Sequence, residues 1–138
     1  MKTLKHFPLF AVVLIIYNLL AIFSHEESSV FGLVLFSVNL VSGAALVLSV
    51  DTMMILFGVI VIFIELVKAT RSSAASALDH GLSTLVFIVF LLELILVKNM
   101  GTPGFLILTT LSLLDVIAGF TVTINTARRD FAISRELS

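Results

Sequence analysis

The chain has 138 residues and a mass of 15.0 kDa; 59% of its residues are hydrophobic, 12% are charged, and the mean hydropathy is +1.22. Its 8 basic and 9 acidic residues cannot cover a water-soluble domain, in which about a quarter of residues are charged, and so apolar a chain is no candidate for disorder. A net charge of −1 offers no field for nucleic acid, and the absence of cysteine excludes disulfides, thiolate metal sites, CxxC redox chemistry and lipidation through Cys. What remains is a small polytopic membrane protein, with no Trp and one Tyr to build an aromatic belt.

A bilayer core of about 30 Å takes about 20 apolar residues per helix. The first apolar run covers about 8–23 and opens on Pro8, whose missing N–H costs nothing in a first helical turn. Lys2, Lys5 and His6 precede it, but the residues around Ala21-Ile22-Phe23-Ser24 make a poor cleavage site, so an uncleaved signal-anchor helix is expected. After a polar stretch, Ser24-His25-Glu26-Glu27-Ser28-Ser29, the chain is almost continuously apolar from Val30 to Lys68, broken by Asp51. One residue cannot reverse a transmembrane helix. With helices at about 51–70, 80–97 and 103–126 after the first, seven of the eight basic residues share the side of the N-terminus, and Lys98 alone lies outside. A fifth helix would reduce that split to 5:3, so the positive-inside rule favours four helices with both termini in the cytoplasm.

Residues 33–50 then read as a β-hairpin. Val34, Phe36, Val38 and Leu40 alternate with Leu35, Ser37 and Asn39; Ser42-Gly43 marks the turn; and Leu46, Leu48 and Val50 alternate with Val47 and Ser49. Asp51 is placed to cap the following helix. The fold expected is an all-α four-transmembrane-helix antiparallel bundle in one domain, with a short extracytoplasmic hairpin lying against the helix ends. Its surplus apolar face, centred on Val38, Ser42, Gly43 and Val47, would serve as an interface.

Polar groups inside the spans are costly and normally face the bundle or a wet cavity. Asn18 and Glu93 fall at similar depth on the first and third helices, so a hydrogen bond between them accounts for both. On the fourth helix, Thr109, Ser112, Asp115, Gly119 and Thr126 share one face; the hydroxyls can serve the acid, and Gly119 admits a neighbouring helix. Asp51, Gly58 and Glu65 recur every seven residues on the second helix, and Glu65 can pair with Lys68. Structural glue is the simpler account of these groups. The alternative is a descending acid series, Glu93, Asp115, Glu65, with steps of about 8–12 Å, as in a proton relay. Asp79 is expected to cap the third helix and His80 to sit at the interface. No catalytic motif, metal-ligand spacing or cofactor site is present.

Four segments, Glu65-Leu66-Val67-Lys68-Ala69-Thr70-Arg71, Asp79-His80-Gly81-Leu82-Ser83, Leu114-Asp115-Val116-Ile117-Ala118-Gly119-Phe120 and Ala127-Arg128-Arg129-Asp130-Phe131, resemble a group of small uncharacterised proteobacterial four-helix inner-membrane proteins. The resemblance covers residues 30–131 and implies a bacterial inner-membrane location without implying an activity. Size and helix count are also similar to the small multidrug-resistance transporters, but the first helix has no Glu and the charge bias opposes dual topology. The sequence thus points to a non-enzymatic membrane protein that assembles with itself or as an accessory subunit of a larger complex. The alternative is a small proton- or cation-conducting protein using Asp115 with Glu93 and Glu65. A wet pocket reaching Asp115 would favour the second reading.

Overall fold

The computed structural model describes residues 7–24, 29–71 and 77–138. The expectations for Lys2, Lys5 and His6, for residues 25–28 and for the 72–76 linker lie outside them. In chain order the elements are α1 (Phe10–Ile22), β1 (Val34–Asn39), β2 (Ala45–Ser49), α2 (Val50–Arg71), α3 (Ala77–Leu96) and α4 (Pro103–Glu136). Single 3-10 turns occur at Val30–Gly32 and Lys98–Met100. α4 packs chiefly on α2 and α3, and α1 packs on α2 and α3.

The helices are apolar on their outer faces. Leu56, Val59, Ile60 and Phe63 on α2, Leu85, Ile88 and Leu92 on α3, and Leu106, Leu113, Ile117 and Phe120 on α4 are exposed, while Glu65, His80, Thr109, Ser112 and Asp115 are buried. A water-soluble helix has the opposite arrangement. By length and composition α2, Leu78–Leu96 and α4 can each cross a membrane. α1 has 13 helical residues, about 20 Å, which is short of a bilayer core.

Three boundaries differ from the sequence expectation, and the start of α4 agrees with it. α4 continues ten residues past the predicted end, because Ala127 to Glu136 holds no glycine or proline to stop a helix that has already started. Ser49, not Asp51, caps α2: its Oγ accepts from the Thr52 N–H at 3.3 Å, so Val50 is the first helical residue and Asp51 the second. Asp79 sits inside the first turn of α3, which starts at Ala77, and is not its cap. Thr102 caps α4 by accepting from the Phe105 N–H at 3.1 Å, with Pro103 at the first position, where it lacks only an N–H that needs no partner.

The hairpin forms with the expected turn. β1 and β2 pair antiparallel, with Val38 opposite Leu46 and Ser37 opposite Val47, and with an irregularity between Val34 and Phe36. Gly43 turns the chain at φ 85°, a left-handed conformation open to glycine. The hairpin does not lie against the helix ends, however. All of β1 and most of β2 are exposed on both faces, because β2 runs without a break into α2 and carries the ribbon away from the bundle. Its attachment is Phe31, which is buried and stacked on Tyr17 with ring centroids 4.2 Å apart.

Candidate functional site

α2 is the spine on which the polar groups are arranged. Asp51, Gly58 and Glu65 lie on one of its faces, and each meets a different part of the bundle. Near the hairpin, Tyr17 donates its hydroxyl toward Asp51 Oδ1 at 3.4 Å and lies 2.9 Å from Thr102 Oγ1. The Asp51 carboxyl rests on Gly104 at the N-terminus of α4, so closely that a Cβ there would stand 2.0 Å from Oδ1. At mid-length Gly58 admits Leu108 of α4; a Cβ would stand 2.6 Å from Leu108 Cδ2. At the far end Glu65 accepts the Leu9 backbone N–H at the start of α1. The acids at the two ends of α2 therefore sit at the N-termini of α4 and α1, where free N–H groups and the helix dipole favour negative charge.

Between these clusters runs a column of rings. Phe10 meets Phe90 at 5.5 Å, Phe90 meets Phe105 at 5.3 Å, and Phe105 meets Tyr17 at 4.8 Å. All four are essentially inaccessible and, with Val13 and Leu108, form the centre of the core. The column was not foreseen, although Phe10 and Tyr17 are seven residues apart and so share a face of α1, a signal that was there to read.

The end opposite the hairpin holds a cleft of about 60 Å³, open on one side, lined by Pro8, Glu65, Lys68, Asp79, His80 and Asp115 among others. Here one step of the expected series of acids is shorter than its spacing implied. Glu65 and Asp115 line this one cleft and interact across it, closer than the expected step of about 8–12 Å. Measured from the hairpin end, Asp115 lies about 18 Å along α4 and Glu65 about 22 Å along α2, which is nearly the same depth. Glu93 stands apart from this pair: its Oε2 accepts from Asn18 Nδ2 at 2.9 Å, between α3 and α1.

The hydroxyls expected to serve Asp115 turn elsewhere. Thr109 donates to the Phe105 carbonyl at 2.8 Å and Thr126 to the Val122 carbonyl at 2.9 Å, each four residues back in its own helix. Ser112 is buried on the same face as Asp115, as the spacing implied. Lys68 Nζ reaches the Phe7 carbonyl at 3.3 Å and also faces Glu65. His80 does not face outward. It is buried against α4, where a Cβ on Gly119 would stand 2.8 Å from its Nδ1, and its ring packs on Phe120. Its Nε2 contacts Thr123 Oγ1. The same Thr123 hydroxyl reaches the Gly119 carbonyl at 3.1 Å. Gly119 on α4, a helical turn beyond Asp115, was the sequence signal for this contact; what it did not reveal is which neighbour fills the space.

Among the described residues no group of three or more His, Cys, Asp or Glu is placed to hold a metal ion. No protein-family model, curated protein or solved structure matches the chain, and the reading of function rests on this geometry.

Proposed function

We propose that the chain is a four-span protein of a bacterial inner membrane, with both termini in the cytoplasm, that works by assembly and not by catalysis. α1 is the fourth span. With its flanking residues Phe7 to Phe23 it reaches about 25 Å, and its outward residues Ile15, Leu19 and Ile22 are apolar. One observation carries the assembly reading: the hairpin stands clear of the bundle with Phe36, Val38, Leu46 and Val47 exposed, and the stretch 29–50 contains no charged residue. A two-stranded ribbon is marginal by itself and needs a surface to pack on. A second copy of the chain or a membrane-protein partner supplies that surface, by strand addition or by face-on packing around Ser42-Gly43. Val38→Asp and Val47→Asp, extracted in mild detergent, should give a complex of lower native mass with the monomer's thermal stability retained. Complexes of unchanged mass would exclude the hairpin as the contact.

A second reading, a proton- or cation-conducting protein using Asp115 with Glu93 and Glu65, gains support from the cleft that opens onto Asp115. The column of rings beyond that cleft opposes a continuous path. Ion flux into proteoliposomes, lost in Asp115→Asn, would favour conduction over assembly.

A further inference from the structure

We infer that the cleft at the end opposite the hairpin binds a primary ammonium group between Glu65 and Asp115. Such a site requires neither assembly through the hairpin nor a path across the bilayer. The cleft has a volume of about 60 Å³ and opens on one side. Glu65 on α2 and Asp115 on α4 are only 8% and 9% exposed, yet both line it. Glu65 accepts the Leu9 N–H. Among the described residues no N–H or O–H donates to Asp115: Thr109 and Thr126 on its own face turn to carbonyls of α4, and what it meets across the cleft is Glu65, a second acceptor. A buried carboxyl group is normally matched by a donor or a counter-charge. Two acceptors on one cavity leave that place to a ligand that donates.

The lining selects the class of ligand. Three acids, Glu65, Asp79 and Asp115, face the cleft against one lysine, Lys68, whose Nζ reaches over to the Phe7 carbonyl. The Nε2 of His80 is engaged by Thr123. An anion is therefore disfavoured and a cation favoured. A primary ammonium carries three N–H donors, enough to serve both buried carboxyl groups and a third acceptor at once. The rest of the wall is largely apolar, from Pro8, Leu66, Ala69 and Ala118, and suits a short methylene stem. A quaternary ammonium fits less well: it has no N–H to donate and is held by aromatic faces, and no Phe, Tyr or Trp among the described residues lines the cleft. The same group is carried by free alkylamines and by the headgroup of phosphatidylethanolamine.

Titration calorimetry on the full-length protein in a non-ionic detergent tests this, with n-propylammonium chloride and a short-chain phosphatidylethanolamine as separate probes. At least one should bind saturably, and the tighter of the two identifies the source. Glu65→Gln and Asp115→Asn should each weaken that binding by about tenfold, the loss of one charge-assisted hydrogen bond. Ser83→Leu, which fills the cleft from α3 and alters no carboxyl group, should weaken it at least as much. Tetramethylammonium and the matching phosphatidylcholine, which have no N–H, should not bind. Failure of both probes to saturate would overturn the site, as would tetramethylammonium binding as tightly as n-propylammonium. Binding that survives Ser83→Leu, or both acid substitutions, would overturn its placement in this cleft. If the acid variants fail to fold, Ser83→Leu and the comparison of ammonium probes on the unmodified protein decide.

Discussion

Asn18 on α1 donates its amide to Glu93 on α3 at 2.9 Å, and the same amide reaches the Leu14 carbonyl at 3.0 Å. One short side chain thus satisfies an acid on an otherwise apolar stretch of α3, and ties the shortest helix to the bundle. Asn18→Leu strands Glu93 and should destabilise the protein in detergent by about 1–3 kcal/mol. Glu93→Gln keeps an acceptor for Asn18 and should cost much less. Equal melting temperatures for Asn18→Leu and the unmodified protein would show that this bond does not hold α1.

The glycines separate close packing from chance composition. Gly104→Ala places a Cβ 2.0 Å from Asp51 Oδ1, so Asp51 must leave Tyr17 or α4 must shift. A loss of about 1–3 kcal/mol is expected, as for other overpacked sites. Gly81→Ala on α3 meets nothing within 4 Å and should stabilise that helix by about 0.5–1 kcal/mol. Thermal unfolding of the two variants side by side checks both signs.

Asp115→Asn keeps a polar group facing Glu65, whereas Asp115→Leu removes it. The Leu variant should therefore lose about 1–3 kcal/mol, with the Asn variant close to the unmodified protein at neutral pH. If both substitutions leave thermal stability unchanged, the pair contributes nothing to holding α2 and α4 together.

Fusion reporters at residue 1 and residue 138 should both report the cytoplasm. The basic residues Lys68 and Arg71 at the end of α2 and Arg128, Arg129 and Arg135 at the end of α4 would then share that side, with Lys98 opposite. A periplasmic signal from either end would remove the four-span topology.

Composition and periodicity by themselves determined the helical class, the apolar spans and the hairpin turning at Ser42-Gly43, because these depend on local preferences and on residues sharing a face. They also placed Asn18 level with Glu93, since both depths can be counted from nearby helix ends. The meeting of Glu65 and Asp115 was hidden for a different reason. It depends on how far α4 slides along α2, and that register is set by Gly58 accepting Leu108 and by Asp51 seating on Gly104. A spacing of seven shows that Asp51, Gly58 and Glu65 share a face, but not which helix that face meets. His80 belongs with them: near a helix start it reads as interfacial until Gly119 on α4 makes room for its ring. Contacts between residues distant in the chain, such as Leu9 with Glu65 and His80 with Thr123, are decided by packing, because only the assembled bundle fixes which polar groups find partners away from water.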